Sequence, residues 1–124
     1  MKEKKNKGFL RFTHTLSYSL SGIKSAWKFE ESFRQEMILF IILTPVACLI
    51  GVEMIDFIVL IGSLWFLLIV ELINSSIEAV VDRVGLEYNH LSKRAKDIGS
   101  AAVMLAIILT IFIWFVVIYY RHIT

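Results

Sequence analysis

The run E-L-I-N-S-S-I-E-A-V-V-D-R, residues 71–83, carries four polar groups at helical spacing. At ~100° per residue, Glu71, Asn74, Glu78 and Asp82 fall within an arc of roughly 80°, opposite Leu72, Ile73, Ile77 and Val80. Glu71 directly follows an uncharged apolar run, Phe57 to Val70, and is followed by Leu72 and Ile73. With a rise of ~1.5 Å per residue, that run places Glu71 near the inner edge of a bilayer's hydrocarbon, at the depth of a lipid headgroup. Charge inside a membrane is costly, roughly 2.5–3.5 kcal/mol for a central Asp on insertion scales, and where it occurs it usually does chemistry. Asp82 reads equally well as a solvated helix end.

A second face answers the first. In S-K-R-A-K-D-I-G-S-A-A, residues 92–102, Lys93, Lys96, Asp97 and Ser100 share one helical side. Lysine cations at this depth can neutralise phosphate oxygens. Lys93 and Arg94 are equally explained as cytoplasmic anchors. Glu30, Glu31 and Glu36 surround the tetrapeptide S-F-R-Q. Any of them could join Glu78 in holding a divalent cation, because Mg²⁺ takes one or two carboxylates plus substrate phosphates. Spacing does not choose among them.

The elements that must position these groups follow from hydropathy. The chain has 124 residues, 57% of them hydrophobic, which suits one domain but is too apolar for a water-surrounded one. M-I-L-F-I-I-L-T-P-V-A-C-L-I-G-V, residues 37–52, is uncharged, as is everything from Ile98 to Tyr120. A spanning helix needs ~20 mostly apolar residues. The pattern predicts an all-α membrane protein, with transmembrane helices over 34–52, 55–82 and 93–120. Pro45 should kink the first span. Gly85 to Asn89 should break the chain between the second and third, with Ser92 or Asn89 as a cap.

Ahead of the spans, Phe9, Phe12, Leu16, Leu20, Ile23 and Trp27 form one narrow stripe. This predicts an amphipathic surface helix over 8–31, lying in the membrane interface, after a basic, frayed tail over 1–7. Lys and Arg concentrate before the first span and again in Arg83, Lys93, Arg94 and Lys96, whereas the C-terminus has only Arg121. The positive-inside rule then puts the N-terminus in the cytoplasm and the C-terminus outside it, an inner-membrane topology for a multi-pass protein. The basic N-terminus is not followed directly by an apolar run, which argues against a cleaved signal peptide.

Several chemistries are excluded. There is no G-x-x-x-x-G-K-[ST], G-x-G-x-x-G, H-R-D or D-F-G. His14, His90 and His122 lack metal-ligand spacing, and the lone Cys48, inside an apolar run, reads as packing. Any use of ATP proceeds without a P-loop or a protein-kinase fold.

The stretches V-E-L-I-N-S-S-I-E-A-V-V-D-R and E-Y-N-H-L-S-K-R-A-K-D-I-G-S-A-A-V resemble the bacterial membrane-integral diacylglycerol kinases, as does S-A-W-K-F-E-E-S-F-R-Q-E before the first span. The resemblance runs from about Gly8 to the third span. It implies transfer of the ATP γ-phosphoryl group to the hydroxyl of diacylglycerol, giving phosphatidic acid in phospholipid recycling, with Mg²⁺. It implies a homotrimeric helical bundle with active sites shared between subunits, and no nucleic-acid partner. It further implies Glu71 as general base, also touching the lipid, and Glu30 with Glu78 as metal ligands that also meet ATP. Lys96 and Asp97 would bind ATP, with Arg11, Tyr18, Asn74, Asp82, Glu87, Tyr88 and Asn89 around the nucleotide. Arg11, Trp27, Gln35 and Ser100 would face the lipid substrate. The turn from Gly51 to Phe57 and the N-terminal helix, including His14 and Leu16, fit the family pattern only loosely.

Within the family the alternative is an undecaprenol kinase, although Arg83 and the G-S-A-A run look more like the diacylglycerol branch. A small proton-coupled exporter would need a water-accessible Glu near mid-bilayer and usually four spans. A non-catalytic assembly subunit would leave the stripe of Glu71, Asn74 and Glu78 unexplained.

Overall fold

Helix boundaries in the computed structural model have local causes. The structure describes residues 2–124, with side chains from Lys7 onward. α1 spans Lys2–Phe29, α2 Glu31–Ile50, α3 Met54–Val84 and α4 His90–Ile118, and α4 runs on into a π-helical stretch, Tyr119–Ile123. Among the described residues there is no strand, and three helical segments are long and apolar enough to cross a membrane.

α1 runs back to Lys2, through most of the stretch expected to be a tail, because nothing before Gly8 breaks a helix. The side chains of residues 1–6 lie outside the described set. α2 and α4 each begin three residues before the predicted spans 34–52 and 93–120. The early start of α4 comes from Asn89, whose Oδ1 accepts from the amides of Leu91 (2.9 Å) and Ser92 (3.3 Å) as an N-cap. Pro45 stands inside α2 without ending it. The residues from Gly85 to Asn89 form the expected break.

α3 is the central element, packing along α4 and along α2, while α1 meets the bundle chiefly through α2. Two small cores sit at opposite ends. At one, Ala26, Phe33 and Leu68 are buried, flanked by Met37, Phe40 and Leu72. At the other, Ala47, Leu60 and Val117 are buried, flanked by Ile50, Val59, Ile61 and Trp114. Between them a polar clasp joins α3 to α4. Trp114 Nε1 donates to Ser63 Oγ (3.1 Å), and Thr110 Oγ1 donates to the Ser63 carbonyl (3.3 Å). In an apolar surrounding such groups need a partner on a neighbouring helix.

The end remote from Glu71 is closed by ionic contacts. Asp56 Oδ2 accepts from the amides of Val52 (2.9 Å) and Glu53 (3.0 Å), completing a capping box at the start of α3. Arg121 reaches back to Asp56 through Nε (2.9 Å) and Nη2 (3.1 Å), and to Glu53 Oε1 through Nη1 (3.4 Å). His122 Nε2 lies 2.8 Å from the Ile50 carbonyl oxygen, which fits the tautomer protonated at that nitrogen. The π-helical stretch after α4 thereby pins the α2–α3 turn. Gly51 lets the turn close, since a Cβ there would meet the Phe57 ring at 2.9 Å.

Where α3 and α4 cross near the acidic stripe, Gly99 is buried against Asn74, and a methyl group on it would run into the Asn74 carboxamide oxygen. Gly62, midway along α3, has open space where its Cβ would be. Gly99→Ala should therefore be destabilising relative to Gly62→Ala, because the Asn74 carboxamide has to turn aside and give up its contact with Glu78, whereas alanine at Gly62 only gains helix propensity, up to ~1 kcal/mol. Reversible unfolding in mixed SDS micelles measures both, and equal effects would contradict the close approach at Gly99.

Candidate active site

The stripe on α3 falls where α1, α2 and α4 converge on it. Glu71 is only 4% exposed, and Asn74 and Ser75 are buried beside it. The Asn74 amide donates to Glu78 Oε1 (3.3 Å), so two members of the stripe are locked to one another. Glu30 stands at the elbow between α1 and α2, and Glu36 lies half-buried one and a half turns into α2. Glu71 is within electrostatic reach of Glu78, Glu30 and Glu36. Carboxylates from two helices thus converge on one region.

Three buried oxygens there have no hydrogen-bond partner: Glu36 Oε2, Asn74 Oδ1 and Ser75 Oγ. Buried polar atoms are rarely left so, and at a functional site they mark places for a ligand, ion or water. Ser75 faces Glu71 from one turn further along α3 but completes no hydrogen bond in this conformation. A cleft of about 670 Å³ opens between α1 and α3 over Glu30 and Ser75, walled by Ser19, Ile23, Phe29 and Leu72 among others. Among the described residues, no three His, Cys, Asp or Glu side chains gather closely enough to cage a metal. The donors present are hard oxygens, and Mg²⁺ asks the protein for only one or two carboxylates. The donor set fits that ion better than a fully protein-ligated one.

A second cleft, about 400 Å³, lies around the α3–α4 loop and gathers Asp82, Glu87, Tyr88, Asn89, Lys96 and Asp97. Lys96 Nζ meets Asp82 Oδ1 at 2.6 Å, and Lys93 Nζ meets Asp97 Oδ2 at 2.6 Å. Both pairs are largely exposed, so each adds little stability and exchanges readily. Asn89 spends its carbonyl oxygen on the α4 cap, leaving its amide nitrogen as the donor toward the cleft. The stripe climbs roughly 16 Å from Glu71 to Asp82 at ~1.5 Å per residue. Its Asp82 end lines the second cleft, while the first cleft meets α3 beside the stripe, at Leu72, Ser75, Ser76 and Ala79.

Other predicted residues are not drawn in. Arg11, Tyr18, Trp27, Gln35 and Ser100 are exposed and line neither cleft. Tyr18 stacks on His14 (6.2 Å between centroids), and Gln35 Nε2 donates to Glu31 Oε1 at 3.4 Å. Conversely, Ser75 joins the site without having been singled out for it, and Glu36, one of three open candidates for the cation in the sequence, lies within electrostatic range of Glu71. Glu36 carried the same sequence signal as Glu71, a carboxylate abutting an apolar run. Ser75 lies at the edge of the polar face, about 20° beyond it at ~100° per residue, so periodicity is the signal for it. Ser76 falls well outside the arc, is exposed, and donates its hydroxyl to the Ile73 carbonyl (2.7 Å).

Buried carboxylates at one border of three apolar helices, next to a cleft with solvent-exposed ion pairs, define a small polytopic membrane enzyme. The chain belongs to the prokaryotic diacylglycerol kinase family: the model of that family, described as Prokaryotic diacylglycerol kinase, matches residues 17–118. It is 47% identical over 107 residues to the diacylglycerol kinase of Escherichia coli (strain K12), covering 86% of this chain and 88% of the relative. It is 42% identical over 110 residues to that of Haemophilus influenzae, covering 89% and 93%. Against that of Pseudomonas aeruginosa it is 44% identical over 107 residues, covering 86% and 87%. The protein is accordingly a kinase.

Glu30 and Glu31 are neighbours in sequence but not in setting. Glu30 lines the cleft and reaches Glu71, whereas Glu31 is exposed and bonded to Gln35. Glu30→Gln should raise the Mg²⁺ concentration needed for activity or abolish turnover, and Glu31→Gln should be mild. A coupled ATP-consumption assay across a Mg²⁺ titration decides this, and the reverse ranking would move the site to Glu31.

Proposed function

We propose that this chain transfers the γ-phosphoryl group of ATP to the free hydroxyl of diacylglycerol, forming phosphatidic acid on the cytoplasmic side of a bacterial inner membrane. The observation that carries the reading is a buried Glu71 at the end of an apolar run, faced by carboxylates of a second helix. A primary alcohol is a weak nucleophile, and a carboxylate within hydrogen-bond reach can accept its proton as the phosphoryl group arrives. Glu71 takes that role. At its depth the acyl chains of the substrate can stay in lipid while ATP approaches from water.

Glu30 and Glu78 would hold Mg²⁺, which when bound supplies positive charge against the phosphates. The amide of Asn74 keeps Glu78 in place. Lys96, now on Asp82, offers its ammonium to the nucleotide phosphates once Asp82 releases it. Glu87, Tyr88, Asn89 and Asp97 share the same cleft, which suits the nucleoside end. Arg11, Tyr18, Trp27, Gln35 and Ser100 line neither cleft here, and would reach substrate only across a subunit boundary or at the lipid surface.

Assembly as a homotrimer, with each site shared between subunits, would bring Arg11, Tyr18, Trp27, Gln35 and Ser100, which line neither cleft of one chain, to a neighbouring site. α1 would lie in the headgroup layer. Its stripe of Phe9, Phe12, Leu16, Leu20, Ile23 and Trp27 is exposed in the isolated chain, and an apolar stripe opposite lysines suits that interface. Orientation with the N-terminus in the cytoplasm follows the distribution of Lys and Arg.

The undecaprenol reading is the weaker one, since the relatives compared above are named diacylglycerol kinase. Undecaprenol offers a hydroxyl but no ester oxygens, and a polar site that pairs with such oxygens rejects an analogue lacking them.

Glu71→Gln should lower kcat by ~10²–10⁴-fold, the usual range for loss of a general base, with expression and oligomer size unchanged. Turnover near wild type would remove Glu71 from the role. In matched mixed micelles kcat/KM should favour diacylglycerol over undecaprenol, and equal or reversed preference would reassign the substrate while leaving the base and metal residues in place. Sedimentation in detergent should give a trimer, and a fully active monomer would defeat the shared site.

A further inference from the structure

Between α1 and α2 the chain leaves helical geometry at a single residue, Glu30, which is extended at φ −110° and ψ 104°. The elbow is bridged from the α2 side. Arg34 Nη1 donates to the carbonyl oxygens of Trp27 (2.9 Å) and Lys28 (3.0 Å). These belong to the last turn of α1, whose carbonyls an α-helix leaves without internal partners. The backbone is tied across the same point, Glu30 N to the Ala26 carbonyl (2.9 Å) and Arg34 N to the Glu30 carbonyl (3.2 Å). Beneath the elbow Ala26 and Phe33 pack on Leu68 of α3, the helix that carries Glu71 and Glu78.

The charge counts of the sequence treat Arg34 as one more cytoplasmic anchor. Its geometry says otherwise, because an anchor turns its donors to headgroups, while this guanidinium turns one to the carbonyl end of a neighbouring helix. A cation is favoured at that end by the helix dipole. The planar fork of arginine also holds a fixed angle that the flexible ammonium of lysine does not.

We propose that Arg34 is a positioning residue for Glu30: by tying the Trp27 and Lys28 carbonyls to α2, it sets the elbow angle and with it the reach of the Glu30 carboxylate toward the α3 stripe. This rests on the reading of Glu30 as a metal ligand. Outer-shell groups that orient a ligand commonly change metal affinity by about 10–100-fold when removed.

The test uses the full-length protein in micelles with Mn²⁺ and a non-hydrolysable ATP analogue, following loss of the free-ion EPR signal, alongside kcat at saturating metal. Arg34→Gln should weaken Mn²⁺ binding by about 10–100-fold with kcat at saturating metal close to that of the unchanged protein. Arg34→Lys should fall in between, and Lys28→Ala, which keeps the bridged carbonyl, should bind as the unchanged protein does. If Glu30→Gln weakens Mn²⁺ binding and Arg34→Gln does not, the positioning role is overturned and the metal reading stands. If Glu30→Gln leaves binding unchanged, the metal reading falls and the role of Arg34 falls with it. Should Arg34→Gln fail to fold, Arg34→Lys decides alone, and Mn²⁺ affinity equal to the unchanged protein overturns the proposal.

Discussion

An ionisable carboxylate at the border of a hydrocarbon layer has to be enclosed by protein, and the placement of Glu71 accounts for much of this architecture. Lipid offers no hydrogen bonds, so a helix with Glu71, Asn74, Glu78 and Asp82 on one face cannot turn that face outward. α3 consequently packs on both α2 and α4. Gly99 permits α4 to come close enough for Asn74 to lie against its backbone. The elbow at Glu30 folds the chain so that a further carboxylate meets the same face. Apolar packing alone would not demand any of this, since lipid tails are as apolar as the side chains they touch.

The two ends of the bundle treat polar groups in opposite ways. At the far end Asp56 accepts from two backbone amides and a two-pronged contact from Arg121, while His122 meets the Ile50 carbonyl. Midway, Ser63, Thr110 and Trp114 satisfy one another across the α3–α4 seam. At the Glu71 end, by contrast, Glu36, Asn74 and Ser75 keep buried oxygens without partners. A fold that pairs its polar groups carefully elsewhere, and leaves them open in one region, has reserved that region for something it binds.

The proposed handling of ATP depends on weak contacts. The Lys96–Asp82 and Lys93–Asp97 pairs are exposed, so exchanging a carboxylate partner for a phosphate requires little energy. The loop between α3 and α4 contributes its own side chains to the same cleft, in place of a glycine-rich phosphate cradle. On that proposal, nucleotide would be bound with helix ends and one short loop. Glu71 is buried among the helices, whereas Lys96 is about half exposed.

Much of this was legible in the residues alone. Long uncharged runs dictate spanning helices, since no other element satisfies its backbone in lipid, and the 3.6-residue period puts Glu71, Asn74 and Glu78 on one face. Motif likeness carried the family. Helix ends were less legible: Asn89 moved the start of α4 by capping, and α1 ran back through a stretch whose composition resembled a tail. What lay beyond the sequence were the contacts between distant segments. Nothing in the spacing of Asp56 and Arg121 joins them across the chain, and nothing in the spacing chooses Glu30 over Glu31. Arg34 counts as a surface charge until the elbow turns two carbonyls toward it. Periodicity specifies the face of a helix, but the angle and depth at which helices cross come from side-chain packing, and those decided which polar groups meet.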